Sequence, residues 1–226
     1  MGIIELKAPR PRSTPHASAV WNFPATCVVR LPKVRKRKLG PLDAALGSRR
    51  SRRDFKRPMM LQELGDLLWH SYRTRRTARY GEVVWESRPS PSGGGCYPVQ
   101  LLMLGISSLP DTLAIYNALH HTLGVCDVPT GTLGRSVSEV ESCLAIGKGT
   151  VFLFLADLGR SRGRYRNPES LAWRDAGALL ATIGLVAEAM RLDCCGLGLH
   201  GVPSLRKFLR MNESVVAVGG CIVAGR

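Results

Sequence analysis

Acidic side chains are scarce in this sequence. Seventeen Asp and Glu face 32 Lys and Arg over 226 residues, a formal net charge of +15 and a pI near 10.2. Such a balance points to an anionic partner: nucleic acid, an acidic peptide, a phosphate-bearing cofactor or an acidic membrane surface. Aromatic residues are also few, at 6%, too few for a base-stacking platform. No RRM, KH, helix-turn-helix or zinc pattern is present, so nucleic acid is not expected as a partner. The seven cysteines are odd in number and contain no C-x-x-C, which argues against a disulfide framework and against zinc. His120 and His121 lack a further histidine or carboxylate at ligand spacing, so no metal is expected. The N-terminus has no apolar h-region and no run is read as a membrane span. The sequence therefore predicts a soluble protein of the reducing cytoplasm, with no membrane partner.

What the chain does have is one globular domain's worth of apolar residues, 45% of the total. Its positive charge is local: twelve of the 32 basic residues lie between Arg30 and Arg57, and four more between Arg73 and Arg79. Residues 1–29 are rich in proline, serine and arginine and predict an extended arm that docks on a partner subunit. A single domain is expected over 30–226. The basic run Lys33–Lys38 reads as a solvated loop.

Short helices are predicted over Leu42–Gly47 and Pro203–Leu209, a firm amphipathic helix over Leu61–Tyr72 and a long one over Glu169–Leu192. Strands are predicted at Val99–Ile106, Leu113–Tyr116, Thr150–Ala156, Cys194–His200 and Val215–Val223. Arg73–Trp85 is basic, shows no period and reads as a mobile loop over a site. The elements interleave without a repeating βαβ unit, which indicates an α+β fold.

Two stretches carry chemistry. In Pro91-Ser92-Gly93-Gly94-Gly95-Cys96-Tyr97-Pro98, glycines between prolines form a shaped loop whose backbone N–H groups are open to a flat ligand. The triplet is not followed by Lys-Ser/Thr, so it is no phosphate loop. In Arg49-Arg50-Ser51-Arg52-Arg53-Asp54-Phe55, four guanidinium forks and a hydroxyl are suited to phosphate oxygens.

The pair, in this order, resembles the nitroreductase-like flavoproteins, and more closely their SagB-type dehydrogenase branch, which carries an Arg-Arg-Ser-x-Arg-x-Phe motif and then a Pro-Ser-Ala-Gly-Ala-Leu-Tyr-Pro loop. The resemblance runs from about Leu31 to the C-terminus. It implies a nitroreductase-like fold: a central, mostly antiparallel sheet flanked by helices, in an intertwined homodimer with FMN at the interface. Carried over position by position, Arg49, Ser51 and Arg53 match the FMN phosphate and ribityl contacts, with Arg50 beside them. Pro91, Ser92, Gly93 and Gly94 match the loop that approaches the flavin ring across the dimer. Gly196, Leu197 and Gly198 match the backbone near flavin N5, and Arg226 matches a C-terminal arginine on the phosphate. The apolar strand before Cys96 and the helix around Leu179 are expected as ring walls.

In SagB-type enzymes a Lys-Tyr pair assists proton removal. The matching dipeptide is Arg164-Tyr165, and Arg is a poor general base. Arg164 is expected to bias Tyr165 toward phenolate or to orient a substrate carbonyl, and Asp175 to pair with an arginine. The resemblance thus implies an FMN-dependent oxidoreductase that oxidises a peptide-derived azoline (thiazoline or oxazoline) to an azole with hydride transfer to flavin N5, alongside a cyclodehydratase-type partner. The alternatives are an NAD(P)H-dependent nitro or quinone reductase using FMN, and a non-enzymatic basic binding module.

Overall fold

The structure, a computed structural model, describes residues 7–35, 39–199 and 201–226. In order, the chain forms β1 (Arg10–Pro11), β2 (Cys27–Arg30), α1 (Leu42–Ser48), α2 (Leu61–Tyr72), β3 (Arg76–Tyr80) and β4 (Val83–Ser87). A 3₁₀ turn at Gly93–Gly95 leads into β5 (Val99–Leu104), β6 (Thr112–Asn117), β7 (Thr122–Asp127) and α3 (Thr130–Glu141). Then come β8 (Thr150–Asp157), α4 (Gly159–Arg162), β9 (Tyr165–Arg166), α5 (Glu169–Ala189), β10 (Leu192–Leu197), α6 (Pro203–Phe208) and β11 (Val215–Gly225).

The main sheet has seven strands in the order β10-β11-β8-β5-β6-β7-β2, and every neighbouring pair is antiparallel. All eight residues of β8 are buried. Side chains alternate across a strand, so Phe152 and Phe154 enter a core with α2 and α5, while Leu153 and Leu155 enter a second core with α6. Both faces are covered, which is why β8 reads as an unbroken apolar run. Burying each phenylalanine contributes about 1.5–3 kcal/mol.

α2 begins and ends where its apolar period does. Leu64, Leu67 and Leu68 are buried, and the Glu63 carboxylate accepts the Met60 N–H at 2.9 Å, closing the first turn. α5 buries Leu179, Ile183 and Ala187. Contrary to the expectation that no segment is of membrane-span length, this helix of 21 residues with hydropathy 1.2 is long and apolar enough to cross a membrane. Its buried face is packed in the core under the sheet.

Two segments differ from the sequence expectation. Arg73–Trp85 is not an irregular loop: β3 and β4 form a hairpin with Tyr80 opposite Val83 and a turn through Gly81 at φ +59°. All five β3 residues are exposed, so no apolar alternation marks the strand. α3 has no predicted counterpart, because it buries only Ser136 and Val140.

The arm, described from Lys7, lies along its own chain. β1 pairs with β9, the Trp21 N–H donates to the Asp157 carboxylate at 2.6 Å, and β2 is the outer strand next to β7. Gly159 and Gly163 let it pass: a Cβ on either would stand 2.0 Å from the carbonyl oxygen of Ala19 or His16. Lys36, Arg37 and Lys38 of the basic run, and His200 at the end of the predicted strand, lie outside the described residues. All seven cysteines are free thiols.

Candidate active site

Residues 49–53 follow α1 in extended conformation and run beside the C-terminal half of α5. Arg49, Arg50, Ser51 and Arg53 line one cleft of ≈ 500 Å³, together with Leu46, Leu180, Leu185 and Gly196. The floor is made by Gly177, Ala181 and Gly184, and the Arg49 stem lies over Gly184, where an added Cβ would make an ordinary contact with Arg49 Cδ at 3.8 Å. Among the described residues, Arg49, Arg50 and Arg53 have no ion pair or side-chain hydrogen bond. Three cations and a hydroxyl thus face a leucine-walled cleft whose one acid among the described residues, Glu188, is already paired with Arg52 and Arg226, a donor set that fits a phosphate dianion.

Arg52 turns the other way. It meets Glu188 at 3.4 Å and Asp193 at 3.8 Å. Arg226 joins the same two acids, each at 3.0 Å. Two arginines and two acids close this cluster, so Arg226 stands beside the cleft with its charge already matched. Burial pushes the Glu188 carboxyl up, but hydrogen bonds from Arg226, Arg52 and Ser48 outweigh it and hold Glu188 below its ordinary value.

Of the segment after α5, exposed Gly196 lines the cleft, while the Leu197 side chain is buried in the second core and Gly198 is exposed beyond it. Gly196-x-Gly198-x-x-Gly201 has dinucleotide-fingerprint spacing, but β10 and β11 are antiparallel and supply no βαβ unit. The expected ring wall shifts by one position: Leu179 is in the core, and Leu180 faces the cleft.

The glycine loop stands at the other end of α5. Asp175 and Glu188 are thirteen residues apart on this helix, about 20 Å at a rise of about 1.5 Å per residue. Asp175 holds the loop: one carboxylate oxygen accepts the Ser92 hydroxyl, the other the Gly93 N–H at 3.0 Å. Ser92 Oγ in turn accepts the Tyr97 N–H at 2.8 Å. Asp175 therefore binds a loop and not the arginine expected of it, a partnership 82 residues long that no local pattern reveals. Burial raises its carboxyl above the ordinary value, against the hydrogen bonds from Ser92 and Gly93.

Arg164 and Tyr165 grip the same loop. The buried Arg164 guanidinium donates to the carbonyls of Gly94 (2.7 Å), Gly95 (3.0 Å) and Val84, and lies 4.0 Å over the Trp85 ring. Nη1 and Nη2 both donate to main chain, so Arg164 positions the loop. Gly94 has φ +62°, and a Cβ there would meet the Tyr165 hydroxyl at 2.4 Å. Pro91, Ser92, Gly93 and Gly94 are therefore gathered with Arg164 and Tyr165, apart from the arginine cleft.

The Nitroreductase family model matches residues 46–226, which contain both motifs and most of the sheet. A search of curated proteins gave no match. Among solved structures, a Ralstonia eutropha protein described as a nitroreductase superposes with a TM-score of 0.66 at 20% identity, over 97% of this chain and 98% of its own. A protein of Anabaena variabilis described in the same way gives 0.64 at 18% identity over 95% of this chain, which spans 42% of that longer one. The E. coli microcin synthetase McbBCD complex with truncated pro-MccB17 bound gives 0.59 at 19% identity, over 86% of this chain and 78% of that one. Identities this low speak for the fold alone. The family match and the antiparallel α+β architecture agree, and the chain is an oxidoreductase belonging to the nitroreductase family.

Proposed function

We propose that the protein is an FMN-dependent dehydrogenase in which Arg49, Arg50, Ser51 and Arg53 hold the phosphate and ribityl end of the cofactor. FMN is typical of the family. The observation that carries the reading is the set of three unmatched arginines over a leucine-walled cleft. Leu180, Leu185 and the exposed backbone at Gly196 offer an apolar wall with main-chain groups at its rim. When bound, FMN supplies a hydride acceptor; the protein supplies position and charge.

The loop at Pro91–Gly94 is fixed about 20 Å along α5 from the arginine end. We infer that a second copy of the chain brings its own loop to the cleft, giving a homodimer. Residues 30–226 then form one FMN domain preceded by the arm. Seven free thiols accord with a reducing cytoplasm.

For the substrate, the SagB-type reading gives a peptide-derived azoline oxidised to an azole, with Tyr165 holding or taking a proton at its hydroxyl next to Gly94. The fold shared with a synthetase complex that has truncated pro-MccB17 bound supports a peptide-derived substrate and a multi-component partner of cyclodehydratase type. One observation favours an NAD(P)H-dependent nitro or quinone reductase instead: Arg164, in the position of the branch's lysine, is spent on loop carbonyls and leaves Tyr165 without a basic neighbour in the pair.

The test is an absorbance spectrum of the purified chain, followed by heat release of the chromophore. Close to one FMN per chain is expected, and its loss in Arg49→Ala/Arg53→Ala. A colourless protein that cannot be reconstituted with FMN sinks the cofactor assignment. Rapid anaerobic bleaching by NAD(P)H selects the reductase reading; bleaching only by an azoline peptide, abolished in Tyr165→Phe, selects the dehydrogenase.

A further inference from the structure

Between β5 and β6 the main sheet comes apart. These two six-residue strands pair only at Leu102–Ile115 and Met103–Ala114, whereas β6 pairs with β7 along its whole length. Toward Val99 and Asn117 no ladder joins them, and a cavity of ≈ 420 Å³ opens there. It shares no lining residue with the arginine cleft. Its volume is that of a small-molecule site.

Its walls include Trp21, Phe23, Tyr72, Tyr97 and Tyr116. All three hydroxyls are already used: Tyr72 donates to the Val99 carbonyl, Tyr97 accepts the Arg88 N–H at 2.9 Å, and Tyr116 meets His121 Nδ1 at 2.8 Å. The rings are what these residues offer. The charged lining residues are Glu86, Arg88 and Arg160, an excess of one positive charge. Glu86 is committed: it accepts from Arg88 at 2.9 and 2.7 Å and from Thr74 at 2.7 Å. Arg160 forms no ion pair among the described residues, although Glu86 feels its charge, and its buried Nε has no acceptor. The buried Nε2 of Gln100, on the β5 side of the gap, has none either. Both orphaned groups are donors, and one carries a charge. Buried donors without acceptors are uncommon in folded proteins because each forfeits its hydration.

We propose that this gap in the sheet is a binding site for a small aromatic carboxylate, with Arg160 and Gln100 facing the carboxylate and the ring held among Trp21, Phe23 and Tyr116. The surplus cation selects an anion, the two orphaned donors select acceptor oxygens, and the aromatic walls select a flat apolar body. The site is independent of FMN and of the reading given above for the arginine cleft.

Isothermal titration calorimetry of the full chain with benzoate, 2-naphthoate and indole-3-acetate tests it. Saturable binding of at least one acid is expected, with the matching neutral amide weaker by about tenfold or more. Arg160→Gln and Gln100→Leu should each weaken the acid by about tenfold or more, and Arg53→Ala should leave it unchanged. Asn22→Trp, at an exposed position of the rim, should block the site without touching the core. Each variant is first shown to melt as the parent does. The proposal is overturned if none of the three acids binds, if acid and amide bind equally, if Asn22→Trp binds like the parent, or if Arg53→Ala abolishes what Arg160→Gln leaves intact.

Discussion

Arg53 and Arg164 carry the same side chain into opposite surroundings. Arg53 is exposed, lines an open cleft and has no partner among the described residues; Arg164 is buried, and three main-chain carbonyls accept from it. The first is charge held in reserve, and the second is scaffold. The same division separates the two carboxylates of α5. Glu188 sits among arginines and is held low, while Asp175 sits under a loop and is pushed high by burial. Where cations are left unmatched, a ligand has a reason to come; where they are matched, the fold has already used them.

The sharpest way to break this contrast is Arg164→Ala. Three carbonyls lose their donor in a buried place, and urea unfolding should show a loss of about 3 kcal/mol or more. A loss below about 1 kcal/mol would remove Arg164 from the scaffold. Gly94→Ala comes next, at about 2 kcal/mol, because the added methyl group meets both a left-handed backbone and the Tyr165 ring. In a Tyr165→Ala background the same change should cost less, and an unchanged cost would show that the two residues do not touch.

At the other end, Arg49→Ala/Arg53→Ala should alter unfolding by no more than about 0.5 kcal/mol while FMN occupancy is lost. A marked loss of stability would mean that these arginines are scaffold after all.

The pH dependence is the smallest effect and separates the carboxylates by sign. Glu188 is lowered in the fold, so its stabilisation is present above its unfolded pKa and is lost as pH falls through the folded value. Asp175 is raised, so its contribution is present below its unfolded pKa and is lost as pH rises through the folded value. Glu188→Gln should flatten the acid loss of stability, and Asp175→Asn should steepen it; unfolding curves carried from below the ordinary carboxylate range up to neutral pH decide.

How much of this could be read from the sequence depended on burial. α2 is bounded at Leu61 and Tyr72 by its own period because one face is buried and the other is wet. β8 announces itself because both faces are covered. The β3–β4 hairpin is silent because β3 has two exposed faces, and α3 is silent because it buries only Ser136 and Val140. The arginine cradle was legible because unspent cations must cluster along a short segment. The duty of Arg164 was not, because its acceptors lie 69 to 80 residues away. Nor was the open seam between β5 and β6, since a missing ladder leaves no mark on either strand.

The arm that lies across α4 has a consequence for how the chain is made. Its N–H groups at Arg12 and His16 wait for the carbonyls of Arg164 and Gly163, and β2 waits for β7. Its berth exists only after some 150 further residues have been added, as the Arg12 to Arg162 hydrogen bond spans 150 positions. The arm is thus made well before the segment it rests on, and its backbone bond to Arg164 ties it to the residue that grips the glycine loop.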